Sequence, residues 1–442
     1  MILALALAVS TLASNAEFPQ SPYEEDIDSA FEQIEKECGE LLKSKEISLK
    51  KLEKDFKKRA KKVKTDQEEF VLLVQLLARM EDGHAAVQLT EKTKGMQWPE
   101  DGSRFDPSIT RGDSGLAICR VGKKYYVKAV AGPAKDASLL PGSEILKIDG
   151  EKPEKWIEAR VETARDLYSW STDHQAFFWA THWGLSGPVG SRLKVEVKQP
   201  DGKKKKRTLS IGKSRIRMPG PAFWPDGLTG EKDVSHCILP GGYGYLYIRR
   251  CKSDLPEQID AAMQKLGNPP GLVLDFRGNS GGSFDHDDLL GRFVPEGKPM
   301  AFVKSISSTG SAQYGGPIVV IVDGTVVSAR ETASGMFKEE GRGYMIGESP
   351  TAGMSASKTT LDLPSGKFQL YVSRYSNKGR WQNGKGIEGL GVQPHEIVEF
   401  DPADLAAGDD TLILKALSLF DDWPTKEVPY HPEDFDWKVS SK

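Results

Sequence analysis

The sequence predicts a mixed α/β (α+β) chain in three parts: an N-terminal helical segment, a β-rich middle and an α/β core. Three observations carry this reading. From about residue 23 to 90, apolar and charged residues alternate with helical period, as in Phe70-Val71-Leu72-Leu73-Val74-Gln75-Leu76-Leu77. From about 111 to 212, short β-rich runs are separated by Gly and Pro. From about 240 to 400, strands and helices alternate. There the continuous apolar runs Gly271–Asp275 and Pro317–Val322 suit strands covered on both faces of a sheet.

Each part has its own punctuation. With 442 residues the chain exceeds one ordinary core, and two or three domains are expected. We place them at 17–108 (helical), 109–213 (β), 214–400 (core) and 401–442 (a helix over Leu412–Leu419 and a Pro- and Asp-rich tail). The helical part closes at Met80-Glu81-Asp82-Gly83-His84, where Gly83 suits a helix stop. Its basic stretch Lys50–Lys64 reads as a solvated face. In the middle part, Pro200-Asp201-Gly202 is a turn signal, so the lysine run Lys203–Lys206 is expected at a hairpin tip. Trp156–Gly184 is an aromatic, helical insertion. In the core, a helix is expected from about Ser328 to Glu340.

The composition bounds the function. Hydrophobic residues make up 38% and charged residues 28%, as in a globular protein. A formal net charge of −3 argues against a nucleic-acid binder. Met1–Val9 is apolar but too short to span a bilayer, and Ser14-Asn15-Ala16 places small residues at a cleavage site. Residues 1–16 therefore read as a signal peptide, although no Lys or Arg precedes the apolar run. An uncleaved anchor or a mis-called start is the alternative. The expectation is an exported protein, periplasmic or extracellular, with no integral span in the mature chain. Cys38, Cys119, Cys237 and Cys251 match no zinc spacing; Cys237 and Cys251 pair across a hairpin, or all four are free buried thiols.

Three segments of the core carry chemistry. Asp275-Phe276-Arg277-Gly278-Asn279-Ser280-Gly281-Gly282 follows a buried strand, and its glycines let the backbone turn and present N–H groups, as an oxyanion hole requires. The Lys-Ser/Thr ending of a phosphate loop is absent. Val326-Val327-Ser328-Ala329-Arg330-Glu331 follows the second buried strand and opens a helix. Ser328 there is either a helix N-cap or a nucleophile beside helix N–H groups. The third segment, Gly384–Pro394, is a Gly-rich loop holding Glu388.

In this order, the segments resemble the C-terminal processing, or tail-specific, serine peptidase family over residues from about 70 to 400. The stretch Ala137–Gly150, with Gly142-Ser143-Glu144-Ile145-Leu146-Lys147-Ile148-Asp149-Gly150, resembles the signature of a PDZ domain. The resemblance implies a PDZ-like β domain beside a ββα-type peptidase core. It implies Ser328 as nucleophile, with Gly281, Gly282 and Ala329 giving the oxyanion hole. Gly115, Leu116, Ala117 and Ile118 would bind the C-terminal end of a protein or peptide substrate by strand addition.

One position departs from the family. Where many members carry a lysine base in a Gly-Glu-x-Thr-x-Gly-Lys turn, this chain reads Gly347-Glu348-Ser349-Pro350-Thr351-Ala352-Gly353-Met354. A thioether accepts no proton, and Lys358 lies four residues on. Asp82-Gly83-His84 resembles the segment that supplies a histidine base in the tricorn-like and chlamydial branches, where a late glutamate supports it. The expected triad is Ser328, His84 and Glu388, an imidazole being a base near neutral pH. His286 is the second choice of base. No metal and no cofactor are expected, the Asp285-His286-Asp287 cluster having no partner spacing. A non-catalytic binder on the same scaffold, and an ester hydrolase with the same triad, remain open at this point.

Overall fold

The structure, a computed structural model, describes residues 20–96, 111–213, 220–230, 233–278, 281–294, 300–301, 305–379 and 381–421. The expected signal peptide and the end of the tail lie outside these residues. Among the described residues no helix is long and apolar enough to cross a membrane.

The N-terminal part packs α1 (Pro22–Ser44), α2 (Leu49–Ala60) and α3 (Asp66–Ala78). Ser21 and Glu24 form a capping box that starts α1, and Thr65 caps α3. Ile27, Ala30, Phe31, Ile34 and Cys38 recur at helical spacing and are all buried. The helical reading overshoots here: α3 ends at Ala78, and Ala86–Leu89 is a strand, β1. Four residues are too few to show a period. What makes β1 a strand is a distant partner, described below.

The middle part contains β2 (Arg111–Gly112), β3 (Leu116–Val121), β4 (Lys124–Val130), α4 (Gly132–Asp136), β5 (Glu144–Ile148), α5 (Pro153–Ala164) and α6 (Asp173–Phe178). A π-turn, Trp179–Trp183, extends α6; then come β6 (Gly187–Pro188), β7 (Arg192–Lys198) and β8 (Lys204–Ser210). One antiparallel sheet runs in the order β3-β4-β5-β7-β8, leaving β3 at an edge. Lys204–Lys206 begin β8, so only Lys203 of the lysine run is in the turn. The insertion is helical, as expected.

The core runs through β9 (Val234–Ile238), β10 (Gly244–Ile248), α7 (Leu255–Leu266), β11 (Leu272–Asp275), α8 (His286–Gly291), β12 (Met300–Ala301), β13 (Ser305–Ile306) and β14 (Ile318–Val322). It continues through α9 (Ala329–Glu339), β15 (Tyr344–Gly347), β16 (Ser357–Asp362), β17 (Phe368–Tyr375), β18 (Glu396–Ile397), α10 (Pro402–Ala407) and α11 (Thr411–Asp421). Its main sheet has the order β18-β15-β14-β11-β10-β9, parallel except for β9. Both faces are covered, and this explains the unbroken apolar runs. Leu246, Leu274 and Val320 face α7 and α9, while Tyr245, Val273, Val319 and Ile321 face α11. The parallel register sets Asp275 beside Ile321, so the loops leaving β11 and β14 emerge side by side.

Residues 357–375 do not stay with that sheet. β16 and β17 form a hairpin, and β1 adds to it antiparallel, Ala86 opposite Tyr371 and Leu89 opposite Phe368. The N-terminal helices cover this three-stranded sheet. Phe70 stacks on Phe368 at 5.6 Å, and Leu73, Val87, Leu370 and Val372 share the same core. Truncating a ring buried like Phe368 costs about 3–5 kcal/mol. This packing binds the first ninety residues to the last hundred. The four cysteines are separate buried thiols, so Cys237 and Cys251 do not pair.

Candidate active site

Ser328 stands between β14 and α9, at the N-cap of the helix. Its φ of 60° and ψ of −132° are costly for a side chain with a Cβ. Its N–H donates to the Met354 carbonyl at 3.0 Å and to Glu331 Oε2 at 3.2 Å. Glu331 is fully buried and binds the neighbouring turn as well. Its Oε1 accepts from Thr351 Oγ1 and from the Gly353 N–H, each at 2.6 Å, and its Oε2 accepts from the Met354 N–H at 2.8 Å. One carboxylate therefore fastens the 351–354 turn to the start of α9 and holds the strained serine in place.

The loop after β11 closes on Ser328 from the other side. A Cβ on Gly281 would lie 2.9 Å from Ser328 Cβ and 3.5 Å from its Oγ, and Gly281 has φ +72°. Only glycine lets the backbone approach the hydroxyl so closely. Gly282 is turned elsewhere, bridging to Cys251. The Arg277 of this motif is structural. It is wholly buried between Asp275 and Asp410, at 2.6 and 2.9 Å, and Asp410 in turn accepts N–H groups at the start of α11.

His84 reaches the same turn from the N-terminal part. Asp82, 1% exposed, is fixed by the N–H and hydroxyl of Ser373 on β17, at 2.9 and 3.0 Å. The N–H groups of Asp82 and Gly83 donate to Ser169 Oγ and Ser171 Oγ, at 2.8 and 3.0 Å. A Cβ on Gly83 would meet Met354 Sδ at 2.7 Å. Met354 thus lies between the two segments, its sulfur against Gly83 and its carbonyl on the Ser328 N–H. The His84 ring is buried, and neither ring nitrogen has a hydrogen-bond partner among the described residues. Its Nδ1 lies 3.8 Å from Asp82 Oδ1. Burial, reinforced by Lys358 and Lys45 and opposed by Asp82, lowers its pKa to about 4.

Glu388 is beside this group, with both oxygens occupied. Oε1 accepts from Lys45 Nζ at 2.8 Å and from Ser171 Oγ at 3.4 Å; Oε2 accepts from the Ser355 and Ala356 N–H groups at 2.8 and 2.9 Å. Burial raises its pKa, against the pull of Lys45. Glu388 does not hydrogen-bond His84 in this structure. His286, on the α8 side, has Nε2 3.0 Å from the Ala329 carbonyl oxygen. Lys358 is on β16, opposite Ser373.

Of the expected site residues, Ser328 and Glu388 thus bond one turn, 351–356, the Gly83 backbone beside His84 packs on its Met354, and Gly281 packs on Ser328. Lys45, at the C-cap of α1, and Ser171, in the insertion, belong to the same group and carry no local motif. The insertion braces the turn further: Thr172 Oγ1 donates to the Ala352 carbonyl at 2.8 Å, and Gln175 Nε2 to Met354 Sδ at 3.1 Å. At the edge of the five-stranded sheet, Leu116, Ala117 and Ile118 are buried. The Gly115 N–H already donates to Asp113 Oδ1 at 2.7 Å, and the Leu116 N–H to Ser114 Oγ at 3.3 Å.

The chain is similar to known proteins in sequence and in fold. The chloroplastic C-terminal processing peptidase of Tetradesmus obliquus is 26% identical over 290 residues, 62% of this chain and 56% of that protein. The carboxyl-terminal-processing protease of Synechocystis is 23% identical over 278 residues, 60% of this chain and 57% of that protein. The chain thus spans little more than half the length of these relatives. The structure of mature CPAF complexed with lactacystin shares the fold, with a TM-score of 0.63 at 13% identity, covering 91% of this chain and 99% of that one. Residues 242–398, which hold the Ser328 and Glu388 segments, match Peptidase family S41, and the chain is similar to carboxyl-terminal-processing peptidases.

Proposed function

We propose that the chain is a serine endopeptidase that acts on exported proteins or peptides and recognises their C-terminal ends. Ser328 is the nucleophile and His84 the base. The observation that carries this reading is the Met354 turn, against which the strained Ser328 and the Gly83–His84 segment both pack.

In the reaction, the imidazole of His84 takes the proton of the Ser328 hydroxyl as Oγ attacks the peptide carbonyl carbon. The negative charge that forms on the carbonyl oxygen is met by N–H groups at Gly281 and Ala329, while the expected third donor, Gly282, is set against Cys251 instead. The C–N bond then breaks, and the proton passes from His84 to the departing amine. Water, deprotonated by the same imidazole, attacks the acyl-enzyme, the new acid leaves, and the hydroxyl of Ser328 is regained. Glu388 supports the base through the loop: Ser171 Oγ donates to Glu388 and accepts from the Gly83 N–H.

The five-stranded sheet is the PDZ-like part, residues 109–213, and the edge of β3 is where a substrate strand adds. A second reading, a non-catalytic binding protein, is favoured by one observation: the His84 ring makes no hydrogen bond to Ser328 here. Labelling with a fluorophosphonate separates the two. Label on Ser328 that vanishes in Ser328→Ala and falls in His84→Ala supports the peptidase. A folded wild-type chain that takes no label and cuts no peptide refutes it.

A further inference from the structure

We infer that Asp82 is the positioning residue that fixes the tautomer of His84, its buried Oδ1 lying 3.8 Å from His84 Nδ1 while Glu388 gives both oxygens to other donors. This deepens the peptidase reading and rests on it.

The charged groups around the ring come from four elements. Asp82 is in the ring's own loop, Lys45 ends α1, Lys358 lies on β16, and Glu388 sits in the late Gly-rich loop. The two lysines oppose a positive charge on the ring, and Asp82 is the group that favours it. Glu388 is committed to Lys45, to Ser171 and to two backbone N–H groups. A carboxylate has room for about four donors, and this one has them.

Asp82 differs. Its Oδ2 takes the Ser373 N–H, and its Oδ1 takes the Ser373 hydroxyl and the His84 N–H at 2.9 Å. These bonds aim Oδ1 at the edge of the imidazole and stop the carboxylate from turning away. The assignment requires that this 3.8 Å separation shorten to hydrogen-bond distance as the ring turns. The proton then resides on Nδ1, and the Nε2 lone pair is left for the serine hydroxyl. When the ring takes the serine proton, the adjacent carboxylate balances the charge. The amide in place of such a carboxylate leaves geometry nearly intact but favours the wrong tautomer, at a cost on the order of 10⁴ in kcat in the Ser–His–Asp case.

The test reads the tautomer directly. The full chain carrying Ser328→Ala is labelled with ¹⁵N-histidine, and the His84 nitrogens are assigned by comparison with Ser328→Ala/His84→Gln. At pH 7 the proton is expected on Nδ1. Asp82→Asn should move it to Nε2, while Glu388→Gln and Ser373→Ala should leave it on Nδ1. In the chain with Ser328 present, Asp82→Asn should lower kcat by about a hundredfold or more with KM within about threefold. The inference is overturned if the proton is on Nε2 in the parent, which needs no further variant to fold. It is also overturned if Glu388→Gln shifts the tautomer and Asp82→Asn does not. Because the NMR readout requires no turnover, failure of the peptidase reading and failure of this inference are distinguishable.

Discussion

Lowering the pH should test the proposed base, His84, more sharply than any truncation. His84 ionises at about 4 because burial, aided by Lys358 and Lys45, disfavours its charged form. A base acts when neutral. At pH 5.5 an ordinary imidazole of pKa about 6.5 is only ~10% neutral, whereas one that ionises at about 4 is ~97% neutral. The kcat/KM for a quenched fluorescent peptide should therefore stay flat from pH 7 to 5.5 and be halved near pH 4. The same shift has a stability sign. The folded pKa lies below the unfolded one, so the unfolded chain takes up the proton first. Stability is full above about pH 6.5 and declines as the pH falls toward 4, by about 3 kcal/mol, most of it lost by pH 4.5. Urea unfolding at pH 7 and 4.5 should show that loss in the wild type and a correspondingly smaller one in His84→Gln. A kinetic midpoint near 6.5, with about a tenfold loss at pH 5.5, would refute the reasoning.

Glu69 gives the opposite slope: burial, then Asp26, pushes its carboxyl up to about 8, so the native state keeps a proton that the unfolded state loses. Stability on its account falls as pH rises from about 4.5 to 8, and Glu69→Gln should melt higher than wild type at pH 8.5 but equally at pH 4. Ser328→Gly should relieve the positive φ and raise stability by about 1 kcal/mol while abolishing fluorophosphonate labelling, as read by melting and mass spectrometry. Asp113→Ala should release the Gly115 N–H and tighten binding of a peptide with a free C-terminus more than threefold over its amidated form; fluorescence anisotropy with no difference between the two would count against carboxylate recognition at this loop.

How far the sequence discloses the site follows from which interactions are local. The two buried strands, the turn after each and the helix opening at Ser328 are written in runs of neighbouring residues, and all are where the apolar pattern puts them. The Asp82-Gly83-His84 segment is visible as a departure from a helix. By contrast, β1 is a strand only because β17 lies beside it, and no four-residue window carries that information. Lys45 ends a surface-like helix and Ser171 sits in an aromatic insertion; their link to Glu388 spans 343 and 217 positions, and only the folded register brings them together. The same applies to Asp113, whose carboxylate fills a loop that its spacing alone presents as open.

The antiparallel pairing of β1 with β17 has a consequence in time. Ribosomal synthesis delivers Gly83 and His84 almost three hundred residues before the strand that anchors them, Phe368–Tyr375, and before the Met354 turn that joins them to Ser328. A nascent chain that ends before about residue 375 cannot bring the proposed base, His84, against the hydroxyl of Ser328. On the proposed mechanism the polypeptide stays unarmed until that strand emerges, and a break that detaches the segment holding His84 disarms it again.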